Sequence, residues 1–172
     1  MVGGGIQGAR HSVRAARATH ARVHRRDAQL WGEESTTFHG EFVNFDAARS
    51  FPKPVQGGKV PIIFGGESTP ALKRVAEYGT GWFGFNLTPE AATAKVEQLK
   101  GLMRERGRAL GEVEIIISPY LHKVAPASLN VYHAAGVSEI VQLLPIPADE
   151  AKLSEVLEQV ARDWVEPAAR LG

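Results

Sequence analysis

The chain has 172 residues, 44% of them hydrophobic, and a formal net charge of +1, which suits one globular domain with a buried core. It contains no cysteine, which excludes a disulfide framework and a thiolate metal site, and no apolar run approaches membrane-spanning length. The near-neutral balance offers no general reason to expect a nucleic-acid partner, and the amino terminus lacks the apolar core of a signal peptide, so a cytoplasmic location is expected.

Residues 1–30 form a basic, poorly ordered or divergent segment in this reading. Arg10, Arg14, Arg17, Arg22, Arg25 and Arg26 stand against Asp27 alone, a local charge of +5 that leaves about −4 for the remainder. There is no aromatic residue before Trp31 and no clear apolar stripe, which favours a solvated arm over a nucleic-acid or membrane surface. His20 and His24 are one helical turn apart, but Arg22, Arg25 and Arg26 would repel a cation and no third ligand is evident, so no metal site is expected.

Residues 31–172 read as regular alternation of strands and helices without an internal repeat. Pro52, Pro54 and Pro61 predict an extended approach to a short apolar strand at Ile62–Phe64, suited to coverage on both faces and to parallel pairing. Gly65 and Gly66 then allow positive φ and close backbone approach, and Ser68 or Thr69 caps a helix whose first position is Pro70. Free amides and the positive end of the helix dipole at that point suit a phosphate. A plain strand-to-helix turn explains the same residues equally well, because a glycine pair lacks the specificity of a full nucleotide fingerprint.

The Pro70–Tyr78 helix ends at Gly79, and Gly81–Phe85 is the next strand. Thr88 and Pro89 open a longer helix with Ala92, Val96, Leu99 and Met103 on its apolar side, closed by Gly107. Glu114–Ser118 is the third strand, stopped by Pro119. Ser128 caps a short helix, Leu129–Ala135, that ends at Gly136, and Glu139–Leu144 is the fourth strand. The last helix starts near Ala148, buries Leu153, Val156, Leu157, Val160 and Trp164, and is disrupted by Pro167. Four strands alternating with helices predict an α/β fold with parallel pairing and a ligand site at the carboxyl ends of the strands. Those ends are Gly65–Gly66, Phe85–Asn86, Ser118–Tyr120 and Leu144–Pro145. Asn86, Ser118, Tyr120 and His122 line a pocket floor there or merely cap the sheet.

The order of several elements resembles the luciferase-like monooxygenase family, especially its branch using the deazaflavin coenzyme F420. The elements are Leu30–Trp31, the FHGEFVNF run from Phe38 to Phe45, Pro52–Gln56, the strand and glycine pair Pro61–Gly66, and Gly79–Trp82, where Thr80 replaces the aspartate common before G-W. Ala134–Pro145 is similar to the family's approach to its final strand, and Val2–Gly8 resembles the glycine-rich end of its fourth strand. The family fold is a (β/α)₈ TIM barrel, which needs roughly 250 residues, so the resemblance implies a partial barrel made of about the last four βα units, with the amino-terminal half missing. It further implies an oxidoreductase that binds coenzyme F420, or alternatively FMN, and acts on a small-molecule substrate. Gly65, Gly66, Ser68, Thr69, Gly81 and Trp82 are then the expected cofactor-binding residues. No catalytic side chain and no metal ligand is expected by name. The competing expectation is a non-catalytic half-barrel that assembles as a homodimer or with a separate amino-terminal half, because a four-stranded sheet leaves two open edges.

Overall fold

The computed structural model describes residues 27–40 and 43–171. The expectations about the basic arm before Asp27, the His20 and His24 pair and the Val2–Gly8 run therefore lie outside the described residues. The chain divides into two compact units between Pro61 and Ile62.

In the first unit, helical residues 27–32 (α1) precede an antiparallel hairpin of β1, Thr36–His39, and β2, Asn44–Ala48. Phe38 pairs with Phe45 across it, their ring centroids 6.0 Å apart, the kind of cross-strand aromatic pair that holds a hairpin in register. Lys53 Nζ donates to the carbonyls of Leu30, at 2.7 Å, and Glu33, which satisfies carbonyls at the end of α1 with a cation, as the helix dipole favours. The proline-rich stretch is not extended throughout, as its composition suggests. Gly57 has φ +60° and donates to Pro54 O, and Gly57–Lys59 closes a 3₁₀ turn. Glycine's access to positive φ wins there over the stiffness of its neighbours.

The second unit is a parallel sheet in the order β3-β4-β5-β6, with β3 Ile63–Gly65, β4 Gly81–Phe85, β5 Glu114–Ser118 and β6 Glu139–Ile140. The register sets Trp82 beside Ile115 and Gly84 beside Ile117, so these four share one face. Helices α2 (Thr69–Tyr78), α3 (Pro89–Arg104) and α4 (Leu129–Ala134) pack on that face. The core joins Leu72, Val75 and Ala76 of α2, Ala92, Val96, Leu99 and Met103 of α3, and Tyr132 of α4 to Trp82, Ile115 and Ile117. The apolar stripe expected on α3 is thus wholly buried. A Cβ at Gly84 would lie 2.7 Å from Ile117 Cδ1, 2.8 Å from Leu87 Cδ1 and 2.9 Å from Trp82 Cη2, so glycine here leaves the room that these three side chains fill.

Arg108 ties the loop after α3 to the end of α2. Its guanidinium donates to the carbonyls of Val75 (3.3 Å), Ala76 (3.1 Å) and Gly79 (3.0 Å), while Nε meets Glu112 at 3.1 Å. Glu112 sits below the usual carboxylate range, first because it accepts from the Ala109 amide and then because of Arg108.

Five expectations need correction. The first strand is not covered on both faces: β3 is a sheet edge, Ile63 is 47% exposed, and the unit's helices lie on the Trp82 face. β6 stops at Ile140 instead of Leu144. Val141 N still donates to Ile117 O at 2.9 Å, after which the apolar run continues without a ladder, since its partner β5 ends at Ser118 and Pro119 follows it. Ser128 makes no side-chain cap; a 3₁₀ turn, Pro126–Ser128, leads into α4 instead. The last helix, α5 at Glu150–Val160, is capped by Asp149, which accepts from Lys152 N. With the turn after it, it only half-buries Leu153, Val156, Val160 and Trp164 and leaves Leu157 exposed. Pro167 does not break the helix. A π turn at Ala161–Val165, in which Glu166 N reaches back to Ala161 O, carries the chain into the short α6, Glu166–Ala168, and widens the helix just before the residue that has no N–H to give.

Tyr132 is 1% exposed and its hydroxyl donates to Leu87 O at 3.2 Å. Burial, and then the charge of Glu90, push its hydroxyl up from 10.0 to about 12. The native state therefore keeps this proton where the unfolded chain releases it. The associated stability, at most about 3 kcal/mol, is present below pH 10 and is lost as the pH rises toward 12. Chemical denaturation between pH 9 and 12 should show this decline in the native protein and a shallower one in Tyr132→Phe; equal slopes would contradict the assignment.

Candidate functional site at the carboxyl ends of the strands

The end of β3 is a turn built for close approach. Gly66 has φ +103°, and a side chain there would be strained as well as crowded, its Cβ 3.2 Å from that of Ala71. Gly65 has no such torsion, and a Cβ on it would meet nothing nearer than Phe83 O at 4.0 Å. Only one of the two glycines is therefore required by backbone conformation.

Of the two capping candidates, Ser68 is the cap: its hydroxyl accepts from Ala71 N at 3.4 Å, with Thr69 as the first residue of α2. Pro70 has no amide hydrogen, so the amides of Ser68 and Thr69 are those the helix start leaves without an intrahelical acceptor. Thr69 Oγ1 accepts from Gln98 Nε2 at 3.0 Å, which anchors the turn laterally to α3. The turn carries no basic residue in its first helical turn; whatever attraction it offers an anion comes from amides and the helix dipole.

Trp82 and Gly81 stand apart from this turn in different ways. Trp82 is fully buried, and its Nε1 donates to Gly66 O at 3.0 Å, so it braces the turn from beneath rather than lining its surface. Gly81 pairs with Ile63 at the opposite, amino-terminal end of the β3–β4 ladder. A Cβ there would strike Ile63 Cγ1 at 2.8 Å, so its glycine serves strand packing.

The ends of β4 and β5 form a second cluster. Asn86 (φ +55°) and Tyr120 (φ +52°) are both left-handed, a conformation rare outside glycine that tends to mark functional sites. Asn86 is joined to the two residues after Tyr120: Leu121 N donates to Asn86 Oδ1 at 3.4 Å, and His122 Nε2 lies 3.1 Å from Asn86 O. The Phe85 and Tyr120 rings meet at 4.6 Å between centroids and are 47% and 41% exposed. Glu67, the residue between glycine pair and cap, accepts from Phe85 N at 2.8 Å, linking the glycine turn to this aromatic pair. Ser118, by contrast, is buried. Sequence reasoning singled out Asn86, Tyr120 and His122 but not Glu67 or Phe85. Their signal, an acid after a glycine pair and an aromatic at a strand's last position, acquires meaning only when the two strand ends are adjacent.

Helices against one face of an unclosed four-stranded parallel sheet, with glycine turn and aromatic pair at its carboxyl ends, make a partial (β/α)₈ barrel with its mouth in the usual place. The luciferase-like monooxygenase family model matches residues 27–128, and the chain belongs to that family. It is 28% identical over 152 residues to the F420-dependent glucose-6-phosphate dehydrogenase of Kineococcus radiotolerans, an alignment covering 80% of this chain and 43% of the relative. Its fold is similar to that of the coenzyme F420-dependent tetrahydromethanopterin reductase of Methanopyrus kandleri, with a TM-score of 0.67 and 15% identity, covering 87% of this chain and 63% of that one. The chain thus spans less than two thirds of the length of either protein. Among the described residues, no helix is long and apolar enough to cross a membrane.

Proposed function

We propose that the chain contributes the cofactor-phosphate side of an oxidoreductase site that uses coenzyme F420 to oxidise or reduce a small organic substrate. The observation that carries this reading is the β3–α2 turn, where a left-handed Gly66 and a Ser68-capped helix start present backbone amides at the carboxyl end of a parallel strand. The fit to a phosphate is one of amides and dipole: Gly65 leaves the approach open, and the Glu67 carboxylate is held by the Phe85 amide. Gly65, Gly66, Ser68 and Thr69 would hold the phosphate-bearing end, with Trp82 bracing the turn. Gly81 is too far along the strand to take part directly. Phe85 and Tyr120 offer an apolar surface for a ring system, and His122 gives the same mouth a titratable group.

Bound there, the deazaflavin supplies hydride chemistry, and the protein's part is to hold and orient. Both named relatives depend on F420, which supports that cofactor over FMN. Thermal unfolding of the chain with excess F420 or FMN tests the reading, because a ligand specific to the native state raises the midpoint. We expect F420 to raise it and FMN to leave it unmoved; a rise with FMN alone would transfer the site to a flavin, and no rise with either would end the proposal for this chain on its own.

A second reading, a half-barrel that must assemble before it acts, is favoured by the open β3 and β6 edges and by the exposure of Ile63 and Phe85 on the face away from the helices. Its partner is a second copy or an amino-terminal half-barrel. Sedimentation that finds only monomer at all concentrations would remove the homodimer.

A further inference from the structure

Glu67, Phe85, Tyr120 and His122 stand together at the carboxyl ends of β3, β4 and β5, and what they leave unused is electron-rich. β3 ends at Gly65, opposite Phe83, so the Phe85 amide lies beyond the ladder and takes Glu67 Oε1 as its acceptor at 2.8 Å. The other carboxylate oxygen has no hydrogen-bond or ion-pair partner among the described residues. Lys123, the cation of the loop after β5, is exposed and makes no pair with it. His122 Nε2 lies 3.1 Å from Asn86 O. A carbonyl only accepts, so Nε2 carries the hydrogen and, in the neutral ring, the lone pair sits on Nδ1. That nitrogen too has no partner among the described residues.

The backbone holds this arrangement against local preference. His122 N donates to Pro119 O at 3.0 Å, closing a four-residue turn whose second residue is Tyr120 at φ +52°. Turns of that hand put glycine, asparagine or aspartate there. Here a strained tyrosine sets its exposed ring 4.6 Å from that of Phe85, and such strain clusters at ligand sites.

We propose that this cluster takes an organic amine as its ammonium ion, which gives N–H groups to Glu67 and His122 Nδ1 and sets its charge against the Phe85–Tyr120 rings. An ammonium has donors only, its hydrogen bonds to a carboxylate are of the strong, charge-assisted kind, and aromatic faces attract a cation. The proposal rests on the reading of this mouth as the substrate end of an oxidoreductase site and names the substrate class. The β3–α2 turn, with its amides and helix dipole, favours negative charge, so the two ends of the site attract opposite signs.

The test is calorimetric titration of the full chain at about pH 8 with benzylamine, benzyl alcohol and benzoate, each with F420 absent and present. We expect saturable benzylamine binding, tighter than that of benzyl alcohol by about tenfold or more, and none of benzoate. Glu67→Gln keeps an acceptor for the Phe85 amide and loses only the charge, so it should weaken benzylamine binding about tenfold and leave benzyl alcohol as it was. Tyr120→Gly relieves the positive φ: its thermal midpoint should rise while benzylamine and benzyl alcohol both bind more weakly, a combination that a merely structural tyrosine does not give. Equal benzylamine affinity in the native protein and in either variant, benzyl alcohol bound as tightly as benzylamine, or no saturable benzylamine binding in either condition would overturn the proposal. The thermal midpoint of the same samples separates the two readings. A rise with F420 in a protein that ignores benzylamine overturns the amine site alone, and benzylamine binding without that rise supports the amine site and counts against the cofactor.

Discussion

Replacing Trp82 with alanine is expected to cost about 3–5 kcal/mol of stability, the range for deleting a large buried aromatic side chain. Trp82 has no exposed surface, joins the cluster formed by α2, α3 and β5, and also donates through Nε1 to Gly66 O. The two roles separate in Trp82→Phe, which keeps most of the packing but leaves the Gly66 carbonyl without its donor, at a cost of about 1–3 kcal/mol. Urea denaturation of the three proteins measures both steps. If the brace matters to the site, Trp82→Phe also weakens F420 binding by more than the stability loss explains, because the turn loses its support from below. An alanine variant as stable as the native protein would show that Trp82 is not part of the core.

Gly66→Val is the second large effect and reads on the site itself. A β-branched residue at φ +103° is strained by about 1–3 kcal/mol, and its Cβ would sit 3.2 Å from that of Ala71. The α2 helix is held by Leu72, Val75 and Ala76 in the core, so far-UV circular dichroism should stay native while the turn shifts and F420 affinity falls about tenfold or more. Gly65→Ala is the contrast. Its position needs no positive φ and has open space, so the fold should hold with a smaller loss of affinity, caused only by the added methyl. Unchanged affinity in a folded Gly66→Val protein would remove the β3–α2 turn from the cofactor site.

The β4 and β5 strands and the α3 helix were legible residue by residue. Gly81–Phe85 and Glu114–Ser118 are short apolar runs bounded by breakers, and Thr88-Pro89 is an unambiguous helix start. The turn after β3 was legible as a place, because glycine, serine and proline in that order permit few backbone paths. Which glycine needs the left-handed torsion, and which hydroxyl caps the helix, was not. Both depend on how α2 settles against the sheet. The Phe38–Phe45 hairpin is not legible because its register follows from pairing across strands, and the full Glu139–Leu144 run reads as strand because its composition cannot tell that the neighbouring β5 ends opposite Val141.

Local chemistry is what the sequence by itself determined: an α/β chain, the boundaries of its best strands and helices, the glycine turn and the family whose order of elements it shares. These follow from periodicity and from residues whose backbone freedom is restricted or enlarged wherever they stand. Only the tertiary structure decided that Trp82 braces Gly66 while Gly81 lies at the far end of the ladder, that Glu67 reaches the end of β4, and that Asn86 at the end of β4 meets Leu121 and His122 just beyond β5. Each of these is a contact between residues distant in the chain, set by sheet register and helix packing, and no periodicity encodes which pairs will meet.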